Sequence, residues 1–141
     1  MWPDRLLKLA LLSGGILTTI IGVAHIFMPS LGYSSAIPSS VTTELRDHFY
    51  YLATYAICAF LLTLGFLSIH FSKLDYPKAS FVVCAVLSVL WITRAILEFA
   101  YPVEIGIFFM DRPTVVLFPV ISTIAAMYSA ATVSYAKRSM P

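Results

Sequence analysis

Charge is what this sequence has least of. Asp, Glu, Lys and Arg make up 11% of its 141 residues, against 60% that are hydrophobic. A soluble domain carries about 25% charged residues, so the deficit points to lipid as the solvent for much of the surface. The net charge is +2, which excludes the broad basic field of a nucleic-acid-binding protein. Cysteine is also scarce: Cys58 and Cys84 are the only two, and both fall inside apolar runs. In antiparallel helices they would differ in depth by roughly 10 Å, beyond the Cα separation of about 7 Å that a disulfide tolerates. Free, buried thiols are expected. No CxxC pair or zinc spacing occurs. Nor is there a Ser-His-Asp set, a phosphate loop or a hydrolase-like carboxylate pair. No repeat, low-complexity tract or polar linker sets off a soluble domain, so one integral-membrane domain over 1–141 is expected.

What fills the chain is four long apolar runs, at about 6–28, 48–71, 79–101 and 114–135. Each is near the ~20 residues that cross a bilayer as a helix. An all-α bundle of four transmembrane helices with short loops is therefore predicted. Gly22-Val23-Ala24 could mimic a signal-cleavage site, but the first run is too long for an ordinary signal peptide, and an uncleaved span is expected. Thr42 or Thr43 suits the N-cap of the second helix, which should begin near Glu44. Pro119 is expected to kink the fourth helix. Gly14, Thr18 and Gly22 recur every fourth residue, as do Ser122, Ala126 and Ala130. Such stripes let helices approach closely. Arg5, Lys8, Lys73, Lys78, Lys137 and Arg138 fall on the side of both termini, and Arg46 and Arg112 on the other. Positive residues stay inside, so both termini are predicted cytoplasmic. The expected location is multi-pass in a membrane, with the bacterial inner (plasma) membrane as the candidate.

Apart from Lys8 at the start of the first run, Arg94 and Glu98 are the only formal charges inside the long apolar runs. Four residues apart, they share one helix face. A charge at mid-membrane costs roughly 2.5–3.5 kcal/mol, so it pairs or faces a polar cavity. The predicted topology gathers further polar groups in the same outer half: His25, His48, Tyr51, Tyr55 and Tyr101, with Glu104, Asp111 and Arg112 in the loop above. His70 lies at the opposite face. The bland readings stand beside the functional ones. Arg94 and Glu98 could be a structural pair, the histidines interfacial and the tyrosines an aromatic belt.

Three chemistries suit this set. Two histidines can hold a haem. His25, His48 and Glu98 match the donor types of a metal site, although Arg94 would compete for Glu98. An amphipathic ligand such as a lipid, quinone or sterol could place its polar head on Arg94 while Glu98 or a histidine handles a proton. On this reading Glu98 and His25 take catalytic roles and Arg94, His48, Tyr55 and Tyr101 surround a bound quinone-like or haem ligand; whether a reaction occurs stays open. The other reading is a non-catalytic accessory or assembly subunit, docked by its small-residue stripes onto a membrane-protein partner or a second copy. The lipid bilayer is an expected partner, and nucleic acid is not.

Gly22-Val23-Ala24-His25-Ile26-Phe27-Met28-Pro29, with Pro38 nine residues later, resembles the first-helix signature of the DoxX-like small membrane proteins. The resemblance rests on Gly22, His25, Pro29 and Pro38. It implies a four-helix bundle, and a tie to quinone-linked oxidoreductases or to membrane redox and envelope functions.

The charge bias generates a direct test. In a bacterial host, a fluorescent reporter fused to either terminus should light up, and a phosphatase inserted within residues 29–47 should be active. The reverse pattern would mean that the positive-inside count misjudges this chain.

Overall fold

In the computed structural model, residues 4–27, 42–102 and 112–139 are described. They form α1 (Asp4–Phe27), α2 (Thr43–Ser72), α3 (Pro77–Ala100) and α4 (Pro113–Ser139). All four are long and apolar enough to cross a membrane, as the four runs predict. The shortest has 24 residues; at 1.5 Å each it spans about 36 Å, more than the ~30 Å of hydrocarbon.

The helices overrun most of the expected ends for local reasons. α1 begins at Asp4, a carboxylate favoured at the positive end of the dipole. Thr42 is the N-cap of α2 but makes no side-chain capping bond. Pro77 opens α3 and Pro113 opens α4, where a fixed φ and a missing N–H cost nothing. α4 continues through Pro119 and on to Ser139, with Lys137 and Arg138 in its last turn, where cations suit the dipole.

α1 packs along α2 and α3 along α4, and the two hairpins join through α1–α4 and α2–α3. Successive helices are thus neighbours around a four-helix bundle. Lipid offers no hydrophobic force to hold helices together, so close packing must do it. The tightest approach is between glycines. A Cβ on Gly15 would lie 2.9 Å from the Gly65 carbonyl oxygen and 2.8 Å from the Ile69 side chain. A Cβ on Gly65 would lie 3.0 Å from the Gly15 oxygen and press on Thr19. Gly14 admits the Tyr128 ring of α4, which a Cβ there would meet at 2.7 Å. Gly22 faces Leu61 and Leu62 of α2 less tightly, at 3.1 Å for the nearest atom. The α1 stripe therefore faces inward. The α4 stripe does not bury as fully: Ser122 and Ala130 are half-buried and Ala126 is exposed.

The core is built on Leu11, Leu87, Trp91, Ile124 and Tyr128. A polar thread crosses it. Tyr128 donates to Ser68 Oγ at 2.9 Å, and Ser68 donates to the Leu11 carbonyl at 2.7 Å, tying α4, α2 and α1. Ser88 and Thr132 join α3 to α4 at 3.0 Å. Hydroxyls nearer the lipid turn back on their own helix: Ser13 donates to Leu9, Thr63 to Ala59 and Thr123 to Pro119. This is how a hydroxyl is satisfied where no water reaches. Cys58 and Cys84 are free and buried, as expected. Outward stand Ile20, Phe66, Val89 and Val133, the lipid-facing surface of an integral membrane protein.

Gly65→Val should push α1 from α2 and lower stability by about 1–3 kcal/mol, the usual cost of overpacking. Gly22→Ala should cost visibly less, because its contact is looser. Thermal melts in detergent rank the two; equal losses would remove the Gly15–Gly65 approach from its central place.

Candidate functional site at the distal end

The end of the bundle opposite the chain termini holds the charged pair. Arg94 and Glu98 occupy the last two turns of α3. Arg94 Nη2 lies 2.5 Å from Glu98 Oε2. Glu98 is fully buried, whereas the Arg94 side chain is 43% exposed. Thr114, in the first turn of α4, donates its hydroxyl to Glu98 Oε1 at 2.7 Å. The carboxylate is thus clamped between its own helix and the next.

This placement is not helped by α3 itself. A carboxylate near a helix C-terminus opposes the macrodipole, and the Arg-then-Glu order is the weaker one for an i,i+4 pair. Glu98 keeps its place through Arg94 and Thr114. One turn before Arg94, on the Glu98 face, is Trp91. It is 2% exposed, and its indole Nε1 is buried without a hydrogen-bond partner.

The remaining predicted residues are arranged differently. His25, half-buried in the last turn of α1, has Nδ1 2.7 Å from the Ile21 carbonyl oxygen. A carbonyl only accepts, so Nδ1 carries the hydrogen and donates it, leaving Nε2 as the acceptor or ligand atom. His48 is exposed on α2. With Asp47, Tyr51, Leu52, Tyr55 and Ala56 it lines a shallow groove of about 500 Å³. Tyr51 and Tyr55 are both exposed, and their rings stack at 6.1 Å between centroids. Asp47 pairs with Arg46 at 3.3 Å. Tyr101 is 75% exposed just beyond α3.

The polar contacts of Arg94 and Glu98 are therefore to each other and to Thr114. His48, Tyr55 and Tyr101 stand on exposed surface, and His25 bonds its own helix. Among the described residues no three His, Cys, Asp or Glu side chains gather as a metal site would need, so the grouping of His25, His48 and Glu98 is not formed. Glu104 and Asp111, and Pro29 and Pro38 on which the DoxX-like resemblance partly rests, lie outside the described residues. Thr114 is the participant that the sequence did not single out. Thr114 could have been found by depth, since the start of α4 faces the end of α3.

Comparison with known proteins finds no family model, no curated relative and no solved structure that matches the chain.

Thr114→Val removes one of the two groups holding a buried carboxylate. Its expected cost is about 1.5–3 kcal/mol, the usual worth of a hydrogen bond to a charged group. Thr93→Val, on the exposed surface of α3, should change little. If both substitutions leave the detergent melting temperature unaltered, the clamp is not structural.

Proposed function

We propose that this small polytopic membrane protein binds the polar head of an amphipathic, quinone-like ligand at Arg94. The observation that carries the reading is the asymmetry of the pair: Glu98 is fully buried while Arg94 is 43% exposed. A guanidinium has five donors, and one of its nitrogens faces Glu98. Within a span, exposed donors require an acceptor that lipid tails do not offer. A quinone carbonyl or a comparable polar head supplies one. Glu98 then balances the charge of Arg94 and is placed to relay a proton to or from the bound head. His25, with Nε2 as its remaining acceptor, is the second proton-handling candidate. His48, Tyr55 and Tyr101 would contact the ligand's entry side. A haem held by His25 Nε2 and His48 is the variant of this reading in which the cofactor is a metal centre. A place in a quinone-linked oxidoreductase of a bacterial plasma membrane, with both termini cytoplasmic, is consistent with the DoxX-like resemblance at Gly22 and His25.

A second reading is favoured by the α4 stripe. Ser122, Ala126 and Ala130 remain partly exposed, so an accessory subunit could dock a membrane partner there. The α1 stripe no longer supports that role, because it packs inside the bundle.

The discriminating measurement is extraction of the detergent-purified protein for mass spectrometry, with oxidised and dithionite-reduced visible spectra of the same sample. Wild type should yield a quinone-like compound, or a haem band if the histidine variant holds. Arg94→Met with Glu98→Leu should fold as wild type, since exchanging a buried ion pair for apolar residues is often neutral, yet lose the compound at least tenfold. A folded double variant that retains it, or an empty wild type, overturns the ligand reading. An empty wild type that still assembles with a partner after the double exchange supports the accessory one.

A further inference from the structure

The opposite end of the bundle carries a second groove. It has a volume of about 460 Å³ and forms where the α2–α3 turn meets the end of α4. Phe71, Tyr76, Pro77 and Ala79 give it an apolar wall, and Lys78 and Arg138 give it two cations. We infer that this groove is a binding site for an anionic phospholipid, with the headgroup phosphate between Lys78 and Arg138 and an acyl chain against Phe71.

Charge complementarity selects this occupant. Of the nine Lys and Arg residues of the chain, Arg5, Lys8, Lys73, Lys78, Lys137 and Arg138 belong to this end, whereas only Asp4 and Asp75 of its seven carboxylates do. Helix dipoles do not supply this sign. α1 and α3 begin here while α2 and α4 end here, so their termini largely cancel. The side chains alone make the site positive.

Asp4 already pairs with Arg138. That contact fixes the guanidinium at the rim and reduces its net pull. Lys78 is exposed and forms no ion pair among the described residues, so it carries most of the attraction. Depth agrees with a lipid. Tyr76 is 60% exposed at the mouth, where an amphipathic ring suits the headgroup level. Phe71 is in the last turn of α2, within the candidate span. A soluble anion would have no use for that apolar wall, whereas a lipid fills both halves.

The test uses the full chain in detergent micelles and reads binding by native mass spectrometry. The probes are phosphatidylglycerol, phosphatidylcholine with the same acyl chains, and inorganic phosphate. Phosphatidylglycerol should bind about fivefold more tightly than phosphatidylcholine, the effect of roughly one basic side chain near a lipid phosphate. Lys78→Gln should lower its affinity by about fivefold, with Lys78→Arg near wild type and Lys73→Gln, outside the groove, changing it by less than about twofold. Equal binding of the two lipids overturns the site without any variant. Equal losses in Lys78→Gln and Lys73→Gln would mean diffuse surface charge rather than a groove. Inorganic phosphate that competes as well as the lipid does would make the ligand a soluble anion and overturn the lipid assignment.

Discussion

The bundle depends on how closely two backbones can approach in lipid. Water drives soluble helices together by expelling apolar surface, but hydrocarbon does not. What remains is contact between surfaces and the hydrogen bonds that contact permits. At Gly15 and Gly65 the absence of a side chain on both helices lets α1 and α2 touch main chain to main chain. Gly14 repeats the device toward α4 by admitting the Tyr128 ring. That ring is where the two hairpins lock, because its hydroxyl also reaches Ser68 and, through it, the Leu11 carbonyl.

The same solvent explains the treatment of polar groups. Most hydroxyls in the spans either return to a carbonyl of their own helix or pair across a helix interface. Glu98 cannot be handled so cheaply. It needs a cation from its own helix and a hydroxyl from α4, against the dipole of α3. A carboxylate placed in this way is costly for a purely structural device. Among the described residues of the distal end, the half-exposed guanidinium beside it is what the proposed ligand's polar head would complete.

The two ends of the bundle differ in kind. Among the described residues, the distal end carries few cations, one of them drawn into the span, and Tyr51, Tyr55 and Tyr101 stand exposed there. The terminal end is crowded with basic side chains and is closed by the contact between Asp4 at the start of α1 and Arg138 at the end of α4. That contact brings the start of α1 and the end of α4 together on the side to which an even number of helices returns the chain.

Hydropathy and length by themselves determined the four spans and their neighbours in sequence. A run of about 20 apolar residues has few alternatives to a spanning helix in a bilayer. The same reading also placed Arg94 beside Glu98, because a helix puts residues four apart on one face. It found the glycine stripe but left its direction open, since a small residue serves a neighbour in the bundle or a foreign helix equally well. Only the tertiary structure decided that Gly14 and Gly22 face inward, that Glu98 is buried while Arg94 is not, and that Thr114 completes the clamp. It also separated His48, Tyr55 and Tyr101 from the polar contacts of that pair, although all had been placed at one level. Depth along a helix follows from counting residues. Rotation about the helix axis does not, because it is set by which side chains interlock with the next helix, and that is a property of the packed bundle.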